Sequence, residues 1–192
     1  MLIKLKLHWQ TGYLTIDKVE TVLDNRMYLL KIPNKEVRIS LYGVLTEYIT
    51  KNTTYKGNSN LILTSLLNND LVNFEKYIKA LYSGIGYDNF INNKMYEYEG
   101  YYVSVFYSYL KALGLDVIAE DITNKGRIDI TIKLPDIIYI IEFKTDGKNA
   151  LKQIKEKKYH QKYLDNNKKI ILLGIEFDKN ERNVIKVESE EV

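Results

Sequence analysis

The stretch GRIDITIKLPDIIYIIEFK, residues Gly126 to Lys144, reads as two short strands joined by a turn at Leu134-Pro135-Asp136. β-Branched and apolar residues fill each run, and Pro with Asp punctuates the gap. The second run, Ile137 to Phe143, is too continuously apolar to be half exposed, so it belongs near the middle of a sheet. It nevertheless ends in two charges, Glu142 and Lys144. Strand side chains alternate, so these two share a face while Phe143 points into the opposite layer. By the same period Arg127 and Asp129 share a face on the first strand, and pairing of the strands brings Asp129 near Glu142 and Lys144. Carboxylates at the end of a buried sheet are costly to desolvate unless a partner satisfies them, and a divalent cation is such a partner.

Working outward, LDVIAED before this stretch is a further strand with Glu120 at its end, and Glu120 has Arg127 or Lys125 as possible partners. Upstream again, Tyr96 to Leu113 predicts a long helix with a stripe of Tyr98, Tyr102, Val105, Phe106, Tyr109, Leu110 and Leu113, closed by Gly114. Glu99 lies near its start, where an acid also suits the helix dipole. Downstream, a turn at Thr145-Asp146-Gly147 leads into a helix from about Asn149, with Ala150, Leu151 and Ile154 facing the core and Gln153 and Lys157 on a neighbouring face. IILLGIEF is another buried strand and VIKVE one more. Helix, three strands, helix and strand fit a three-layer α/β core around a mixed sheet.

The first half reads differently. GYLTI and MYLLKI are short strands about a charged turn at Asp24-Asn25-Arg26. A helix follows Pro33, with Val37, Leu41, Val44, Leu45 and Tyr48 at helical spacing. Helices over Leu61 to Leu67 and Leu71 to Ser83 come next, the latter capped by Asn69 or Asp70 and ended by Gly84. Gly84-Ile85-Gly86-Tyr87 is the expected border, giving a small α+β module at 1–86, winged-helix-like or lid-like, and a second domain at 87–192.

Bulk composition bounds the classes. At 192 residues, 45% hydrophobic and 28% charged, the chain can bury a core, and no apolar run approaches the roughly 20 residues of a membrane span. There is no cysteine, so disulfides and thiolate metal sites are excluded. The N-terminus has no signal-peptide pattern, which makes a cytoplasmic location without membrane contact the expectation. The net charge of +3 permits nucleic-acid binding without requiring it. Lys148, Lys152, Lys155, Lys157, Lys158, Lys162, Lys168 and Lys169 crowd one segment, either a phosphate-binding surface or a solvated helix face. The seventeen tyrosines are spread along the chain and form no motif. His160, in the lysine-rich segment, has no metal-ligand neighbour at useful spacing and reads as a surface or core residue.

The residues at 99–177 carry a resemblance. Asp129, then about a dozen residues, then Glu142-X-Lys144 at the end of a buried strand is the pattern a metal-dependent nuclease needs. YYVSVFYSYLKALG, AEDITNKGRIDI, IIYIIEFK, ALKQIKEKKYHQKY and IILLGIEF together resemble the PD-(D/E)XK nuclease superfamily. More narrowly, they resemble the nuclease-like domain that follows AAA-ATPase-like modules in bacterial and archaeal proteins. The resemblance implies a restriction-endonuclease-like core and Mg²⁺, with Mn²⁺ as substitute. It implies that Asp129 and Glu142 ligate the metal with the Phe143 carbonyl, that Lys144 is the catalytic lysine, and that Glu99 is a helix-borne acid and possible further ligand. Gln153 matches the glutamine that follows the catalytic strand, while Tyr159 matches less closely because its spacing from Gln153 differs from Gln-X-X-X-Tyr. Ile128 stands where a proline is expected before the first acid.

QTGYLTI and IPNKEVR resemble the end of an ATPase-linked region, yet the chain contains no G-X-X-X-X-G-K-[ST], so no ATP site is expected. The expected activity is metal-dependent hydrolysis of phosphodiester bonds in DNA, with Lys148, Lys152, Lys155, Lys157 and Lys158 on the backbone. Pairing of two copies is a further expectation, since many nucleases of this kind cut both strands as dimers. The alternative is a catalytically silent nucleic-acid-binding or protein-interaction module working with an ATPase partner. A third reading makes the charges a structural ion pair at a sheet edge.

Overall fold

The structure, a computed structural model, describes residues 11–51, 59–86, 97–145 and 147–192. The turn residue Asp146, the start of the long helix at Tyr96, and the Tyr87 side of the proposed border lie outside the described residues, as do residues 1–10 and the 52–58 loop.

Strands β1 (Thr15–Val22) and β2 (Asn25–Lys31) pair as a two-stranded antiparallel sheet of their own. The turn is Leu23-Asp24, both in the left-handed region, so it is tighter than expected and Asn25 already belongs to β2. The hairpin leaves Val19, Leu23, Met27, Tyr28 and Leu29 exposed.

Three helices follow. Helix α1 (Lys35–Thr50) starts at Asn34, whose side chain accepts the Val37 N–H at 2.9 Å, rather than at Pro33. Helix α2 is Ser59–Leu67, and α3 is Leu71–Ser83, capped by Asp70 and ended by Gly84. The helices on both sides of residue 86 share one core. Ile62 and Leu66 of α2 and Phe74 and Ile78 of α3 belong to the same buried cluster as Tyr102, Phe106, Phe143 and Phe177. Tyr139 ties α2 to the sheet by donating its hydroxyl to the Leu66 carbonyl at 2.7 Å.

The central sheet has five strands in the order β3 (Asp116–Thr123), β4 (Gly126–Lys133), β5 (Ile137–Thr145), β6 (Lys169–Asp178) and β7 (Asn183–Glu191). Only β5 and β6 are parallel, so the sheet is mixed, and β5 is its middle strand as the apolar run demanded. Helix α4 (Glu99–Ala112) covers one face with α2 and α3, while α5 (Ala150–Lys157) and a 3₁₀ helix (Tyr159–Asn166) cover the other. This is the expected three-layer mixed α/β architecture, preceded by a hairpin and helices.

Two details depart from expectation. The lysine-rich segment is not one helix, because Lys158 adopts a left-handed conformation that ends α5 and starts the 3₁₀ helix. Glu120 does not end its strand. It lies inside β3 with φ of 51°, and the β3–β4 ladder skips the rung at which it would face Asp129.

Candidate active site

The site forms where the central strand ends. Phe143 is buried and stacks toward Phe177 (ring centroids 5.9 Å apart), which in turn stacks on Tyr102 at 4.2 Å, while Phe106 meets Phe143 at 5.6 Å. Tyr102 and Phe106 are one turn apart on α4, so this aromatic contact fixes the helix over the end of β5. Glu99, one turn before Tyr102, is thereby carried to Lys144.

Lys144 is the hub. Its Nζ donates to the Phe143 carbonyl at 2.8 Å, to Glu99 Oε1 at 3.1 Å and to Glu142 Oε1 at 3.2 Å. Burial disfavours the ammonium, but Glu142 and Glu99 outweigh it and hold its pKa above the ordinary lysine value. Asp129 approaches from β4. The ladder between β4 and β5 ends at Ile130–Ile141, and beyond it Asp129 Oδ2 accepts the Phe143 N–H at 2.8 Å. Asp129, Glu142, Phe143, Lys144 and Glu99 thus converge at the end of β5.

Gln153 comes from the opposite layer and donates its side-chain amide to Glu142 Oε1. It can do so because Gly174 stands beside Glu142 in the β5–β6 ladder, and α5 begins directly over that glycine. Tyr159 completes this side. Burial raises its phenol pKa, the Glu142 carboxylate adds to the rise, and a hydrogen bond with Gln153 opposes it. Tyr159 meets Gln153 in spite of the longer spacing, across a left-handed Lys158 that ends α5. Gly126, at φ of 146°, leaves room for the Tyr159 hydroxyl, which would sit 2.9 Å from a Cβ there.

Electrostatics set the site apart from the ordinary surface. Burial pushes the Asp129 carboxyl up to about 6, partly offset by the Phe143 N–H. Burial, with the Asp129 charge, pushes Glu142 up to about 8. Glu142 is 2% exposed, and its Oε2 is buried with no hydrogen-bond partner. Among the described residues no three His, Cys, Asp or Glu side chains are grouped to hold a metal by themselves. The donor set of two carboxylates and the Phe143 carbonyl fits an ion that retains several waters, as Mg²⁺ and Mn²⁺ do, and the orphaned Glu142 Oε2 is a vacant acceptor for it.

The remaining candidates spread out. Glu120 pairs with Arg127 at 2.9 Å on the surface and borders a cleft of about 300 Å³ with Glu99, Ser104, Tyr107 and Asp129. Of the five lysines proposed for the backbone, Lys155 pairs with Glu190 at 2.6 Å and Lys152 lies 3.8 Å from Glu156. Lys148, Lys157 and Lys158 form no ion pair among the described residues. His160 lies in the 3₁₀ helix and, among the described residues, belongs to no group of His, Cys, Asp or Glu side chains that could hold a metal. Asp121 was missed by the sequence reading. It is buried and accepts from Thr131 at 2.8 Å, from Lys162 and from Tyr163, fastening the 3₁₀ helix to the sheet. No spacing rule marks such a residue; Gly174, a lone glycine in an apolar strand, was the readable sign of close backbone approach.

A family model described as the PD-(D/E)XK nuclease superfamily matches residues 97–187. An uncharacterized protein in the vnfD 5' region of Azotobacter chroococcum mcd 1 is 39% identical over 184 residues. That alignment takes in 93% of this chain and 36% of the relative, so the chain spans about a third of the relative's length. No solved structure matches. Among the described residues no helix is long and apolar enough to cross a membrane.

Proposed function

We propose, from the match of residues 97–187 to the family model described as the PD-(D/E)XK nuclease superfamily, that the protein is a metal-dependent nuclease that hydrolyses phosphodiester bonds in DNA. The observation that carries this reading is the meeting of Asp129, Glu142 and Lys144 at the end of β5, with one buried carboxylate oxygen of Glu142 unsatisfied. Asp129, Glu142 and the Phe143 carbonyl would hold Mg²⁺, with Glu99 within reach as a further acid. When bound, such an ion lowers the pKa of water and neutralises charge growing on the phosphate.

The chain's own groups do the rest. Lys144, held by Glu99 and the Phe143 carbonyl, would present its ammonium to the scissile phosphate or the attacking water. Gln153 fixes the rotamer of Glu142, and Tyr159 closes the site against the second layer. Lys148, Lys157 and Lys158 supply positive charge to the strand being cut. The test is cleavage of plasmid and linear DNA with Mg²⁺ or Mn²⁺. Asp129→Ala and Lys144→Ala should each lower the rate at least about a hundredfold, and unchanged activity in both would sink the assignment.

A coupled role with an ATPase module is the wider reading. It is supported by the resemblance of residues 10–16 and 32–38 to an ATPase-linked region and by the greater length of the relative. Co-purification of the chain with an ATPase encoded beside it, and its loss when the hairpin is deleted, is the measurement that addresses it.

A further inference from the structure

A β-strand places alternate residues on opposite faces, and β3 and β4 break that rule at the same level. On β4, Ile130 and Ile132 pack in the layer of α4, whereas Ile128, two residues from Ile130, packs in the layer of α5 and the 3₁₀ helix. On β3, Val117 packs in the α4 layer, whereas Asp121, an even number of residues later, faces Thr131, Lys162 and Tyr163 in the other. Both strands therefore change face between residues 119 and 121 and between 128 and 130. The pair between these positions, Glu120 and Asp129, is the rung the ladder skips.

The cause is local. Glu120 has φ of 51°, and among the described residues it is the one left-handed non-glycine residue that lies within a strand rather than in a turn or cap. A left-handed residue within a strand reverses the facing of the residues beyond it in that strand, as a β-bulge does, and β4, paired to β3 on both sides of Glu120, changes face at the same level. Two carboxylates are redirected as a result. Asp129 leaves the face of Thr131, borders the cleft against α4 and reaches the Phe143 N–H. Asp121 turns inward to the hydroxyls and ammonium that hold the 3₁₀ helix, whose first residue is Tyr159. Both halves of the site thus depend on one backbone angle. The Glu120 carboxylate, by contrast, is 57% exposed and meets an Arg127 that is 66% exposed, a pairing that contributes little.

We propose that Glu120 is a positioning residue: its left-handed backbone, and not its carboxylate, turns Asp129 toward Phe143 and Asp121 into the opposite layer. Non-glycine residues adopt this conformation rarely, glycine adopts it freely, and β-branched residues resist it most. The requirement at position 120 is therefore conformational. Its consequence for cleavage rests on the nuclease reading, whereas the geometry itself does not.

The test compares Glu120→Gly, Glu120→Gln and Glu120→Val in the full chain without metal, following hydrogen exchange of the Phe143 amide by NMR. Asp129→Ala serves as the control that identifies the acceptor. The glycine and glutamine variants should keep Phe143 protection within about twofold of wild type, and the valine variant should exchange at least about tenfold faster. Cleavage should follow the same order, with glycine and glutamine active and valine not. A valine variant that fails to fold beside a protected glycine variant supports the proposal equally. Loss of Phe143 protection in the glycine variant, or full protection in a folded valine variant, overturns it. Wild-type protein that cuts no nucleic acid counts against the proposed function and leaves the amide result to decide the geometry.

Discussion

Gly174 stands beside Glu142 in the parallel ladder, and a Cβ at Gly174 would lie 2.5 Å from the Leu151 backbone nitrogen. Backbone cannot yield as a flexible side chain can, so Gly174→Ala must push α5 off the sheet. Gln153 then loses Glu142. The variant should lose about 1–3 kcal/mol of stability and most of its cleavage activity, read by denaturant unfolding and a nuclease assay. Wild-type values in both would show that α5 is not seated as described.

Asp129 stores a conflict. Its half-buried carboxylate lies beside Glu142, and the shared repulsion is relieved by Lys144, by the Phe143 main-chain N–H on Asp129 and by the Gln153 amide on Glu142. Asparagine keeps an acceptor for the Phe143 N–H and removes the charge. Metal-free Asp129→Asn should therefore be more stable than wild type by about 1–2 kcal/mol, while losing activity. Millimolar Mn²⁺ should raise the Tm of the wild type and not of the variant. A lower Tm for the variant without metal would refute this account.

Asp121 governs acid stability on the other side of the sheet. Burial raises its pKa, but hydrogen bonds from Lys162, Tyr163 and Thr131 outweigh burial and hold the carboxyl below its ordinary 3.8. A folded pKa below the unfolded one gives stability that is complete above about pH 4 and is lost as pH falls through the folded value. Asp121→Asn should flatten that part of the pH–stability curve. Unfolding midpoints measured between about pH 2 and pH 5 will show whether the slope depends on this residue.

Salt dependence separates the lysines. Lys148, Lys157 and Lys158 have no acidic partner among the described residues, whereas Lys155 and Lys169 are paired to Glu190 and Glu191 of β7 at 2.6 and 2.7 Å. Replacing the first three by alanine should lower the slope of log affinity against log salt by about 0.9 for each phosphate contact removed. Replacing Lys155 and Lys169 should leave it nearly unchanged. The reverse pattern, read by oligonucleotide titration, would place the nucleic acid elsewhere.

Much of the layout was legible because it follows from periodicity. The apolar run at Ile137 to Phe143 identified the central strand, and the spacing of Tyr102 and Phe106 identified the helix that brings Glu99. What escaped was what two-residue and helical periods do not encode. One left-handed residue at Glu120 inverted the facing of two strands, and another at Lys158 broke an apparent lysine helix in two. Glycine advertises such angles, and neither residue is glycine. The lysine cluster misled in another way, since the acidic C-terminal run, distant in sequence, lies alongside it and neutralises part of it.

The parallel pairing of β5 with β6 also orders events in time. Strands β3, β4 and β5 are joined by short turns and can zip together locally, which sets Asp129, Glu142 and Lys144 on one sheet early. The β6 strand must travel across α5 and the 3₁₀ helix before it can dock, and contacts of that separation close late. Gln153, Tyr159 and Gly174 all belong to that crossover or to the strand it delivers. A chain whose β6 strand is not docked would hold its acids and its lysine without the second wall that shapes them, so the finished site depends on the longest crossover of the sheet.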